Sequence, residues 1–161
     1  LAWGDVGLYL VTPGGGLGAA AVEATGTPEQ KQKFLVPQAR GEKIACFGLT
    51  EPGAGSDVAA ITSTARRQGS EYVLNGEKMW ITNGSVADVA VVWAKDEQGV
   101  IRGFLVEKGS PGFKAHDVHG KWSLRASVQA SLRLEQVRQA LQLSVRAWQR
   151  ARQRGHRRPS R

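Results

Sequence analysis

Two short segments carry the residue types from which a chemical site could be built. Cys46-Phe47-Gly48-Leu49-Thr50-Glu51-Pro52-Gly53-Ala54-Gly55-Ser56-Asp57 closes a short apolar run with a threonine and a Pro/Gly turn. Backbone so rich in glycine presents amide N–H groups and hydroxyls without side-chain bulk, which suits a flat polar cofactor or a phosphate. Further on, Lys78-Met79-Trp80-Ile81-Thr82-Asn83-Gly84 supplies a large apolar wall with a hydroxyl two residues away. Strand alternation puts Trp80 and Thr82 on one face. Taken singly, Thr50 and Ser56 could equally cap a turn, and Trp80 could be ordinary core.

Other candidates are weaker. Glu51 beside the loop is a tempting catalytic base. Cys46 is the one cysteine, so no intramolecular disulfide forms, and a small buried hydrophobe is the expected role. Gly14-x-Gly16-x-x-Ala19 mimics a dinucleotide fingerprint, but Pro13 interrupts the turn and no βαβ unit follows, so loop or helix-packing glycines are expected. His116 and His119 stand three apart on a strand and point to opposite faces, which argues against a metal site.

These segments need elements to position them. Residues 1–43 read as helical, with one helix over about Leu17 to Ala24. Thr27-Pro28-Glu29-Gln30 forms a capping box with proline at the first helical position, opening a helix that Pro37 should stop after Val36. From Ile44 the texture turns to strands: Ile44–Leu49, Ile61–Arg67, Ser70–Leu74, Glu77–Thr82, Asp88–Lys95, Val100–Lys108, Phe113–Val118 and Val128–Val137. Gln68-Gly69, Asn75-Gly76 and Asp96-Glu97-Gln98-Gly99 read as hairpin connections, Asn75-Gly76 the strongest. About seven strands at this spacing argue for a β-sandwich or barrel.

The two opening segments together resemble the flavin-binding pair of the acyl-CoA dehydrogenase family. The likeness extends through Val91-Val92-Trp93-Ala94-Lys95, 101–109 and Gly120-Lys121-Trp122-Ser123-Leu124-Arg125-Ala126-Ser127, and these later stretches are similar to the glutaryl-CoA dehydrogenase branch. The resemblance implies a mainly β middle domain over 44–137, preceded by the end of a helical domain over 1–43, α+β overall. It implies FAD as cofactor, an acyl-CoA substrate oxidised to the enoyl thioester, and an electron-transfer flavoprotein as electron acceptor. Phe47, Leu49 and Thr50 would line the pyrimidine side of the flavin, with Gly55 in the same loop. Ser56 would reach the pyrophosphate and border the substrate channel. Trp80 would cover the flavin, Ile81 would back it and the Thr82 hydroxyl would sit near N5. The family's catalytic glutamate belongs to a C-terminal helical domain and no residue here matches it, so the resemblance implies that Glu51 is a loop-ordering carboxylate and that the chain is a fragment. The intact relative would be a homotetramer, cytoplasmic in a bacterium or in the mitochondrial matrix of a eukaryote. A non-catalytic FAD- or CoA-binding module, or an unstable fragment, is the alternative, with polyanion binding through the basic residues 138–161 a third reading.

The charge of +8 is unevenly placed. Eight of the 22 Lys/Arg fall in 138–161 with no acid, leaving 14 against all 14 Asp/Glu in residues 1–137. The body is therefore balanced, and the usual inference from a basic chain to nucleic acid does not apply to it. The tail lacks the aromatic interleaving of a nucleic-acid binder. It reads as a basic, family-unrelated terminus, aberrant or out of frame, with 150–161 disordered. An amphipathic helix through Leu134, Val137, Leu141, Val145 and Trp148 is possible at that spacing. No apolar run is long enough to span a membrane, and no targeting leader is visible at Leu1.

Overall fold

The computed structural model describes residues 6–10, 16–138 and 141–143. Three helical pieces precede an eight-stranded sheet. Helix α1 is Val6–Leu10 and α2 is Leu17–Thr25. Helix α3 begins with the expected capping box, in which the Thr27 hydroxyl accepts from Gln30 N–H and the Gln30 side chain accepts from Thr27 N–H. Pro37 does not stop it. An α-turn over Pro28–Gln30 passes into a π-turn over Lys31–Leu35, then back into an α-turn over Val36–Ala39. Proline lacks an N–H and its ring crowds the carbonyl four residues back. The wider π-turn, closed by Val36 N–H to Lys31 O, relieves that crowding.

The strands are β1 Ala45–Gly48, β2 Thr64–Gln68, β3 Glu71–Thr82, β4 Val89–Lys95, β5 Ile101–Glu107, β6 Phe113–Asp117, β7 Gln129–Val137 and β8 Leu141–Gln142. Their order is β6-β7-β3-β2-β4-β5-β8, with β1 added parallel to β4. The mainly β expectation is met, as an open half-barrel sheet. Gly69-Ser70, one residue later than expected, turns β2 into β3, and the Asp96–Gly99 hairpin joins β4 to β5.

Asn75-Gly76 is not a hairpin. Glu71–Thr82 runs as one strand, paired with β2 at its start and with β7 along most of its length. The register against β7 shifts between Leu74 and Gly76, so the pair marks a bulge. Asn75 spends its side chain across the sheet, its Oδ1 accepting from Gln136 N–H and Nε2. Gly76 is needed for close approach: at φ 149°, a Cβ there would stand 2.2 Å from Ser63 Oγ. A local turn signal has been overruled by long-range pairing.

The expected helix through Leu134 and Leu141 is also corrected. Leu134 and Val137 are buried in β7, whereas Leu141–Gln142 pairs antiparallel with β5 at its edge. Leu143 N–H donates to Gly103 O at 2.8 Å, and Gln30 Nε2 donates to Gln142 O at 3.2 Å. Val145, Trp148 and 150–161 lie outside the described residues.

Strand β4 explains the layering. Ala90, Val92 and Ala94 face one core with Phe104, Leu74 and Leu132, while Val89 and Val91 face a second with Val22, Phe34 and Leu143. Both faces are buried, so the strand reads as a continuous apolar run rather than an alternating one. Each large side chain buried this way stabilises the fold by roughly 1.5–3 kcal/mol. Helix α2 approaches β1 closely because Gly18 has no side chain; a Cβ there would meet Ala45 Cβ at 3.0 Å. Gly18 is thus a helix-packing glycine, and Gly14 lies outside the described residues.

Gly76→Ala tests the bulge. It should lower stability by roughly 2–4 kcal/mol in urea unfolding, from backbone strain and the Ser63 overlap. Gly53→Ala, with open space around it, should stay within about 0.5 kcal/mol.

Candidate functional site

The loop after β1 is held from beneath by a buried ion pair. Lys78 is fully buried and Glu51 is 5% exposed. Lys78 Nζ donates to Glu51 Oε1 at 2.7 Å and to Leu49 O at 3.2 Å. The Glu51 carboxylate also accepts from Ser63 N–H at 3.0 Å, and from Thr62 N–H and hydroxyl at 2.6 and 2.8 Å. Four donors on one carboxylate satisfy it fully, which a buried charge requires. Burial alone would raise the Glu51 carboxyl, but the bonds from Lys78, Ser63 and Thr62 outweigh it and bring the value down to about 2. Burial lowers the Lys78 ammonium below its ordinary range, with the Glu51 carboxylate opposing the shift. Glu51 is therefore a loop-ordering carboxylate.

This pair fixes where Thr50 stands. Met79 N–H donates to Thr50 O at 2.9 Å, and Glu51 and Ala54 exchange two backbone bonds across the Pro52-Gly53 turn. The Thr50 hydroxyl has no partner among the described residues. Across from it, β3 is distorted: Trp80 takes φ 60° and the register against β7 shifts between Lys78 and Ile81. Left-handed backbone at a bulky residue costs about 1–3 kcal/mol and persists only where the surroundings enforce it. Burial still alternates there, with Trp80 57% exposed, Ile81 buried and Thr82 half-buried. Asn83, at φ 62°, ends the strand.

Between these elements lies a cavity of about 420 Å³. Phe47, Leu49 and Thr50 form one wall, Trp80, Ile81, Thr82 and Asn83 another, and Leu10, Leu17 and Ala19 of the helices a third. A second cavity of about 490 Å³ lies beyond Phe47 and Leu49, lined also by Val58, Trp93 and Val100. Phe47 thus separates two spaces, its ring tilted 58° against Trp93 at 5.8 Å. Six of the eight expected site residues therefore meet at the first cavity. Gly55 and Ser56 line neither cavity; they are exposed in the turn before Asp57, whose side chain caps the 3₁₀ turn Val58–Ala60.

Apolar walls, one exposed indole face and two threonine hydroxyls make a space suited to a flat ring with a heteroatom edge. None of the described carboxylates lines it. Cys46 borders it, but burial pushes the thiol up to about 12, so it is no nucleophile at neutral pH. No cluster able to hold a metal occurs among the described residues. Sequence reasoning missed Lys78 as the partner of Glu51, and Gln129, whose Nε2 donates to Thr82 Oγ1 at 2.8 Å. A lysine running directly into the apolar Met79-Trp80-Ile81 stretch was the available signal for the first; nothing local signalled the second.

The family model for the acyl-CoA dehydrogenase middle domain matches residues 46–137, more than half of the chain. This chain belongs to the acyl-CoA dehydrogenase family. The short-chain specific acyl-CoA dehydrogenase of Clostridium acetobutylicum is 46% identical over 124 residues, covering 74% of this chain and 32% of that protein. Glutaryl-CoA dehydrogenase of Mycobacterium smegmatis superposes with a TM-score of 0.83 at 48% identity, covering 91% of this chain and 40% of that one. A glutaryl-CoA dehydrogenase from Mycobacterium smegmatis in complex with FADH2 gives a TM-score of 0.79 at 46% identity, over 86% and 37% of the two chains. The chain thus spans about a third of the length of the curated relative it matches. Relatives of this acyl-CoA dehydrogenase middle domain include both short-chain and glutaryl-CoA enzymes.

Glu51 gives the acyl-CoA dehydrogenase fold an acid sensitivity of known sign. Its folded value lies below the ordinary 4.5, so its contribution is complete above that pH and is lost as pH falls towards 2. Melting temperature measured from pH 6 to 2.5 should drop across that window. Lys78→Met should cost about 3–5 kcal/mol at pH 7, since it strands a buried carboxylate. An unchanged melting temperature in that variant would show the pair is not formed.

Proposed function

We propose that this chain contributes the flavin-contacting β domain of an FAD-dependent acyl-CoA dehydrogenase. The carrying observation is the convergence of Thr50, Trp80 and Thr82 on one cavity from two distant segments. When bound, FAD supplies the acceptor that removes a β-hydrogen from an acyl thioester. The chain's own residues bind and orient. Trp80, held on left-handed backbone, offers its exposed face as a wall for the ring. The free Thr50 hydroxyl would donate a hydrogen bond to a carbonyl of the ring and favour its electron-accepting role. The Thr82 hydroxyl would donate to a ring nitrogen. Phe47, Leu49 and Ile81 would exclude water from the ring, and Ser56, in the same turn as Gly55, would reach the pyrophosphate and border the acyl-CoA channel.

The base that takes the α-proton is supplied from outside the described residues, because Glu51 is committed to Lys78. Glutaryl-CoA is the substrate favoured by the likeness of 120–127, an electron-transfer flavoprotein the acceptor, and a homotetramer the intact assembly. Several surfaces that complete a flavin site in such an assembly are not among those described, so FAD affinity of this chain alone should be weak. No helix among the described residues is long and apolar enough to cross a membrane.

Titrating the 161-residue chain with FAD, followed by tryptophan fluorescence, tests the reading. Saturable quenching is expected, weakened about tenfold or more by Trp80→Ala and several-fold by Thr50→Val, consistent with the loss of a stacked ring and one hydrogen bond. Affinity unchanged by both substitutions would refute the site.

A further inference from the structure

Thr82 and Gln129 face each other as register partners in β3 and β7. The Gln129 Nε2 amide donates to Thr82 Oγ1 at 2.8 Å and to Ser127 Oγ at 3.2 Å. Thr82 lines the cavity, but Gln129 does not. A threonine hydroxyl has one proton to give and lone pairs to receive. With Gln129 donating into a lone pair, the Thr82 proton is left over. It meets no acceptor among the described residues.

We infer that Gln129 is a positioning residue: its amide fixes the Thr82 hydroxyl as a donor into the cavity, towards an acceptor atom of the bound ring. The amide itself is tethered. Asn83 N–H donates to Val128 O at 3.0 Å, Ser127 is fully buried, and Ser127 N–H donates to Leu124 O at 3.0 Å. Lys121 Nζ adds bonds to Leu124 O and Ser127 O, closing the loop that carries the amide. A Gln129 carboxamide so placed cannot swing away from Thr82 without breaking its bond to Ser127. Replacing the donor by an acceptor of the same size would reverse the hydroxyl, drawing its proton back into the sheet and turning a lone pair to the cavity.

The inference rests on the flavin reading for the identity of the acceptor, but the hydroxyl's orientation is a property of the protein alone. Two measurements separate them. In the flavin-free chain, nuclear magnetic resonance should show a Gln129 side-chain amide proton that exchanges slowly, is lost in Thr82→Val and is retained in Thr82→Ser. Exchange as fast as that of an exposed glutamine would overturn the inference. In the chain saturated with FAD, Gln129→Glu and Gln129→Met should shift the visible absorbance and the reduction potential of the flavin as Thr82→Val does. Combining Gln129→Met with Thr82→Val should add nothing further. A shift in Thr82→Val with none in either Gln129 variant, or additive shifts, would overturn it. A wild-type chain that takes up no FAD refutes the flavin reading, and the amide signal alone then upholds or overturns the role of Gln129.

Discussion

The buried contact between Lys78 and Glu51 is the constraint on which the rest of the site depends. Two charges leave water, and the Coulomb attraction alone does not repay that cost. What offsets it is completeness: Ser63 and Thr62 fill the remaining acceptor positions of the carboxylate, and Leu49 O takes a second ammonium proton. Because those partners come from the loop, from the start of β2 and from the middle of β3, one ion pair fastens three segments. Hydrophobic residues could stabilise such a junction as well. They would not fix the direction of the Thr50 carbonyl or hold Glu51 clear of the cavity.

The same junction lets the cavity-lining part of β3 be strained. Trp80 sits in left-handed backbone with most of its indole exposed, an arrangement that local energetics oppose. It is flanked by Lys78, anchored below, and by Thr82, tied to Gln129 across the sheet. The neighbouring Met79 amide is bonded to Thr50 O, so the bulge and the loop cannot move independently. Strain at the Trp80 wall of the cavity and rigidity of the polar network are two sides of one packing solution.

Much of this was legible in the sequence where local chemistry decides. The Thr27-Gln30 capping box, the Asp96–Gly99 hairpin and the strand runs of β4 and β5 follow from side-chain types within a few residues of one another. That the Thr50 and Trp80 segments share a site was implied by their joint resemblance to the family's flavin-binding pair, and both segments line one cavity. What was not legible is set by contacts distant in sequence. Asn75-Gly76 has hairpin chemistry, yet Ser63 and β7 hold it in an unbroken strand. Pro37 should end a helix, and a π-turn admits it instead. Leu141 and Gln142 have helical spacing to Leu134, but the open edge of β5 captures them. Gln129 is an ordinary strand residue until its partner across the sheet is known. Gly55 and Ser56 lie apart from both cavities, exposed in the turn before Asp57.

Amide hydrogen exchange at Thr62, Ser63 and Met79 is the most direct measure of whether one ion pair fastens loop, β2 and β3. All three amides bond to Glu51 or to Thr50 O. If the pair is the fastening, they exchange together, as slowly as core amides such as Val91 and Leu105, because they open only when the junction does. Fast, mutually independent exchange at these three positions, with the sheet core still protected, would contradict it.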